Sequence, residues 1–141
     1  MSKLYTTQLL SLAARLAQFP LDEGLVHRAE ARSRTCGSTL MIGVSLTVSG
    51  QIERVGMQVS ACAIGQSSSA LLAISAAERA PHELAATLKQ IEAWLADEAP
   101  LPQWPGFEAL APAKAHPGRH GALLLPWNAA VSALSTGEVA R

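Results

Sequence analysis

The residues best suited to chemistry are the two cysteines. Cys36 lies in Arg34-Thr35-Cys36-Gly37-Ser38 and Cys62 in Ser60-Ala61-Cys62-Ala63-Ile64. Two thiolates brought together make a soft-metal site or a nucleophile site. The plain alternative is that each free cysteine is a small buried hydrophobe. Which applies depends on whether the chain between them folds back on itself.

The pattern says that it does. Leu40, Ile42, Val44, Leu46 and Val48 alternate with Met41, Gly43, Ser45 and Thr47, which predicts a strand over Thr39–Val48 buried on one face. Ser49-Gly50 supplies a turn, and Val55, Met57 and Val59 alternate with Arg54, Gly56 and Gln58. So short a connection predicts an antiparallel hairpin. Cys36 then precedes its first strand and Cys62 follows its second, so both fall at one end of the sheet. Ala29–Thr35 is a candidate third strand. Cys62 also precedes a helical segment, whose N-terminus favours an anion.

The other segments read as helices. Leu9, Leu12, Ala13 and Leu16 give Thr6–Ala17 an apolar stripe, with Thr6 or Thr7 as cap. Leu71, Ile74 and Ala77 do the same for Ser67–Arg79; Leu84, Leu88, Ile91 and Leu95 do so for Pro81–Glu98, which opens with Pro and carries Glu83 in its first turn. Four prolines between 100 and 112 mark Ala99 to about Gly118 as a loop. A last helix is expected over Pro126–Leu134, beginning at the proline. Gly65-Gln66-Ser67-Ser68-Ser69 lacks the glycine that a nucleophile elbow needs after its serine, and is read as helix capping. The expected architecture is α+β: a small antiparallel sheet of two to three strands with helices packed on one face, as a single domain over 1–141.

Composition narrows the function classes. Hydrophobic residues make up 49% of the 141 and charged residues 16%, which excludes disorder over most of the length. Eleven basic residues balance eleven acidic ones, which argues against a nucleic-acid partner. No apolar run reaches the ~18–20 residues of a membrane span. The N-terminal stretch does not read as a secretory signal, and two cysteines make no disulfide framework, so the expected compartment is the cytoplasm.

Thr35-Cys36-Gly37-Ser38, an alternating strand pair, and Cys62-Ala63-Ile64 leading into a serine-rich helix resemble the iron–sulfur cluster assembly scaffolds of the IscU/SufU/NifU N-terminal family. That family reads Cys-Gly-Asp at the first site and Gly-Cys-Ala-Ile or Gly-Cys-Ser-Ile at the second. Its third site, Pro-x-Arg-x-Lys/His-Cys, is similar to Pro117-Gly118-Arg119-His120-Gly121-Ala122, with Leu125 and Trp127 following. Two of the departures fall on ligands. The family's Asp is Ser38, its third cysteine is Ala122, and the glycine before its second cysteine is Ala61.

The resemblance implies a scaffold or carrier rather than an enzyme. Sulfur from a cysteine desulfurase and iron would be accepted at Cys36 and Cys62, and the cluster passed on. Ser38 and His120 are weaker ligand candidates, and Arg119 is a candidate partner contact. A four-ligand zinc site is worth roughly 10–16 kcal/mol. Two thiolates would keep about half, a dissociation constant of roughly 200 μM to 1 μM, so a transient cluster or zinc is expected to bind weakly in a monomer. Further ligands would come from His116 or His120, from a partner, or from a homodimer sharing four thiolates. The rival readings are a docking or regulatory module that has lost cluster building, and a persulfide-transfer accessory without stable metal.

Overall fold

The computed structural model describes residues 4–34 and 37–139, with side chains described up to 135. Helix α1 (Thr7–Ala14) is capped by Thr6, whose Oγ1 accepts from the Leu9 N–H at 3.0 Å, and a 3-10 turn continues it to Gln18. Three strands follow: β1 (His27–Arg32), β2 (Thr39–Leu46) and β3 (Ile52–Ser60). They form one antiparallel sheet in the order β1-β2-β3, so the third strand expected from the sequence is present, starting two residues earlier than Ala29. Gly50, at φ +90°, closes the β2–β3 turn in a conformation that glycine adopts without steric cost. Helix α2 (Ala63–Ser75), α3 (Pro81–Leu95) and α4 (His120–Val139) complete the fold, with 3-10 segments at Phe107–Ala115 and Pro117–Arg119.

The core lies between one sheet face and the helices α2 and α4. Leu40, Ile42 and Val44 of β2 and Val55 and Met57 of β3 turn inward with Ile64, Leu72, Leu123 and Trp127. Helix α3 packs on α4. Glu83 helps start α3: its Oε2 accepts from the Ala80 N–H at 2.8 Å.

The part of the opposite sheet face around Gly43 and Gly56 is covered by a strap, Phe19–Leu25, that the sequence pattern did not disclose. Gly43 and Gly56 are paired across β2 and β3. They leave a hollow that Leu25 fills, fully buried. A Cβ at Gly43 would stand 2.7 Å from Leu25 Cβ, and one at Gly56 would stand 2.2 Å from the Pro20 carbonyl oxygen. The Met57 N–H donates to the Phe19 carbonyl (2.8 Å), and Arg54 clamps Asp22 at 2.8 Å.

Two helix starts differ from expectation by several residues. Helix α2 begins four residues before Ser67, directly after Cys62, so the serines lie inside it and cap nothing. Helix α4 begins at His120, with Pro126 in its interior. An interior proline forfeits one backbone bond and costs about 3 kcal/mol. Burial of Ala122, Leu123, Leu125, Trp127 and Ala130 on the same helix offsets it.

Candidate cysteine site

The sheet register fixes where the second cysteine stands. Thr39 of β2 pairs with Arg32 of β1 on one side and with Ser60 of β3 on the other. The turn from Ser33 to Ser38, closed by the Ser33 N–H on the Ser38 carbonyl (2.9 Å), therefore shares a sheet end with the exit of β3. Thr35 and Cys36 lie within that turn's sequence but outside the described residues. Cys62 follows Ser60 by two positions and occupies the N-cap of α2 in extended conformation (φ −68°, ψ 174°). Its side chain makes no capping hydrogen bond and is half-buried. The backbone does the local work instead: the Gln66 N–H donates to the Cys62 carbonyl (3.0 Å), and Gln66 Nε2 donates to the Ala61 carbonyl (2.9 Å).

Behind Cys62 the helices meet closely. Gly65 lies in the first turn of α2, and a Cβ there would stand 2.7 Å from Ala61 Cβ and 3.5 Å from both Cβ and the carbonyl oxygen of Ala122. Ala122 is fully buried. Its side chain therefore lines no cleft and leaves no room there for another chain to approach. The small residues draw α4 onto α2, and the space that a longer side chain would have lined is closed by backbone. The seam continues with Ser68, whose Oγ donates to the Leu123 carbonyl (2.6 Å) and accepts from Trp127 Nε1 (2.9 Å). Ser67 donates to the Leu9 carbonyl (2.8 Å) and Ser69 to the Gly65 carbonyl (2.7 Å). The three serines thus tie α2 to its neighbours and to its own preceding turn. Nothing in their spacing announced this.

The remaining candidates flank the seam. His120 opens α4 and is half-buried; its Nε2 donates to the Lys114 carbonyl at 2.8 Å, which leaves Nδ1 as the ring nitrogen with a lone pair for a metal. Arg119 is half-buried and forms no ion pair among the described residues. Ser38 is buried at the start of β2, and its carbonyl is taken by Ser33. Among the described residues no three His, Cys, Asp or Glu side chains are grouped to hold a metal ion. The described donors alone therefore do not fit a resident zinc: Cys62 offers one thiolate, and Ala122 offers none.

No protein-family model matches the sequence, and no curated protein does. Solved structures do match. A NifU-like nitrogen-fixation protein (N-terminal) from Brucella abortus superposes with a TM-score of 0.88 and 24% identity, covering 98% of this chain and 96% of that one. A protein assigned as an iron–sulfur cluster assembly scaffold of the SUF system, from Fervidobacterium islandicum AW-1, superposes at 0.83 with 20% identity, covering 93% and 96%. The chain has the NifU-like fold. In that fold α2 and α4 both begin at the sheet end where β3 exits, so the N-cap cysteine and the start of α4 become neighbours although they are far apart in sequence. No helix among the described residues is long and apolar enough to cross a membrane.

Proposed function

We propose that this chain is a carrier of the iron–sulfur assembly type, accepting sulfur and iron as cargo at Cys36 and Cys62 and passing them on. The observation that carries the reading is the position of Cys62: a half-buried thiol, unused by capping, at the sheet end shared by the 33–38 turn, in a fold whose solved examples include a protein assigned as a cluster scaffold. A cysteine desulfurase is the sulfur donor of this reading, the cytoplasm its compartment, and the role is that of a carrier and not of an enzyme.

Ala122 favours a weaker hold on cargo. It carries no ligand atom where the resembling family has its third cysteine, so one chain offers two thiolates where a [2Fe–2S] cluster takes four. A transient cluster would then need two chains or a partner's ligands. Persulfide transfer by Cys62 without stable metal is the second reading that the same observation supports.

Anaerobic reconstitution followed by size-exclusion chromatography tests both. Cluster absorbance and acid-labile sulfide should travel with a dimer and be lost in Cys36→Ser and in Cys62→Ser. Colour on a monomer rejects the shared site. Absence of colour, with Cys62 still accepting labelled persulfide sulfur from a desulfurase, selects the transfer role. Absence of both rejects the carrier.

A further inference from the structure

The outer edge of β1 is open, and its residues carry a charge pattern. Two observations fix which backbone groups face outward. The Met57 N–H leaves the sheet to reach Phe19, so Gly56, Gln58 and Ser60 bond inward to β2. Alternation then directs Leu40, Ile42 and Val44 toward β1 and pairs them with Ala31, Ala29 and His27. Independently, Ser33 bonds Ser38 in the same phase. The N–H and C=O groups of Arg28, Glu30 and Arg32 therefore point away from the sheet, and they meet no backbone partner among the described residues.

All three residues are exposed, while His27, Ala29 and Ala31 are half-buried toward the helices. Helix α4 packs on β1 and β2 from the core side, so the outer side of this edge is not covered by it. Glu30 lies between the two arginines and is in no ion pair among the described residues. Charged residues on an edge discourage indiscriminate strand addition. They also specify a matching strand, because opposite charges directly across a pair stabilise it and like charges destabilise it.

From this edge we infer a docking site for an extended segment of a protein partner, added as a fourth strand beside β1, with carboxylates opposite Arg28 and Arg32 and a cation opposite Glu30. Main-chain hydrogen bonds supply the affinity of such an addition, and alternate side chains supply its selectivity. A second copy matches fewer charges. Paired about Glu30 it sets like charges together, and paired about Ala29 or Ala31 it matches Glu30 with one arginine but leaves the other arginine of each copy without a carboxylate. A partner strand can match all three. Strand β1 runs toward the 33–38 turn, so a segment laid here is led to the cysteine end. The inference does not depend on the cargo reading, because it rests on the edge alone.

The test uses the full chain and a synthetic peptide, acetyl-Val-Glu-Val-Lys-Val-Glu-Val-amide, whose symmetric pattern fits either strand direction. Titration followed by amide hydrogen exchange should protect the Arg28, Glu30 and Arg32 N–H groups. A peptide with Glu and Lys interchanged should bind about ten-fold more weakly. Arg32→Glu should shrink that preference, and N-methylating the peptide at its strand-bonding positions should abolish protection while the chain stays folded. Arg28 is left unchanged, because its guanidinium also holds the Leu25 carbonyl. Protection elsewhere, equal binding of the two peptides, or concentration-dependent protection of these amides by the chain alone would overturn the inference, the last by naming a second copy as occupant. Loss of the cysteines should leave peptide binding intact, which separates failure here from failure of the carrier reading.

Discussion

Between Gly65 and Trp127 the seam of α2 and α4 is closed: its backbones touch across glycine and alanine, and Ser68 satisfies the indole N–H of Trp127. At its mouth, Cys62, Arg119 and His120 are only half-buried. The two regions are neighbours in space and differ in what holds them. The seam is fixed by volume and by paired polar groups, with no buried side-chain polar atom lacking a partner among the described residues. The rim is placed by where the helices start, with His120 held to the Lys114 carbonyl and Cys62 against the edge of the core. A closed seam therefore sets the position of a half-exposed edge that carries the thiol. Changes in the seam should cost stability, and changes at the rim should cost chemistry.

The largest break in this comparison is Trp127→Ala. The indole is fully buried, stands edge-on to Trp104 at a centroid distance of 4.9 Å, and contacts Phe107. Its removal should cost about 3–5 kcal/mol, read as a lower urea midpoint at unchanged slope. Ser68→Ala is next. It leaves the Trp127 Nε1–H buried without a partner, for about 1–3 kcal/mol. A loss below about 0.5 kcal/mol would show that the hydroxyl is not the partner holding the indole.

What the sequence disclosed divides along the same line. The strands were legible because one face alternates from Leu40 to Val44 and again from Val55 to Val59, a period no helix shares. The NifU-like order of elements followed from that hairpin and the cysteine motifs. The start of α4 was not legible, because a proline is a stronger local signal than the buried residues around it, and tertiary burial overrode it at Pro126. The strap was hidden for a related reason. Pro20 and Gly24 read as breaks, and only the three-dimensional pairing of Gly43 with Gly56 shows what Leu25 is for. At the site, Cys62 at a helix start was legible from its neighbours, whereas the burial of Ala122 depends on Gly65, which no local pattern links to it.

Ala122→Cys sharpens the comparison by placing a thiol at the junction of seam and rim. Overpacking a closed contact should cost about 1 kcal/mol. If residue 122 stands in register with the third ligand position, competition against a chromogenic chelator should show zinc bound at least ten-fold more tightly than by the native chain. Unchanged affinity would mean that α4 is displaced along its axis relative to Cys62.

The smallest effect is expected at the strap, far from the seam, where an exposed ion pair holds the outer face. Arg54 donates to Asp22, and the Gly24 N–H donates to the same carboxylate at 2.8 Å; these two contacts hold the Asp22 carboxyl below its ordinary value, while Arg54 is shifted upward by the same pairing. Asp22 therefore contributes stability at pH values above its unfolded pKa of about 3.9, and that contribution is lost as pH falls through the lower folded value. Arg54 stays charged over this whole range, so it adds no pH dependence of its own. Asp22→Asn should be slightly less stable than the native chain at pH 7, and the two should converge as pH falls below the lowered folded value of Asp22. Salt should narrow the gap at pH 7, because both side chains are about half exposed. The local readout is the Met57 amide, bonded to Phe19 at the root of the strap: its hydrogen exchange should speed up in Asp22→Asn while the Ser68–Trp127 seam exchanges as before. If the Met57 amide does not respond, the ion pair is only decorating a strap that Leu25 holds by burial over the two glycines.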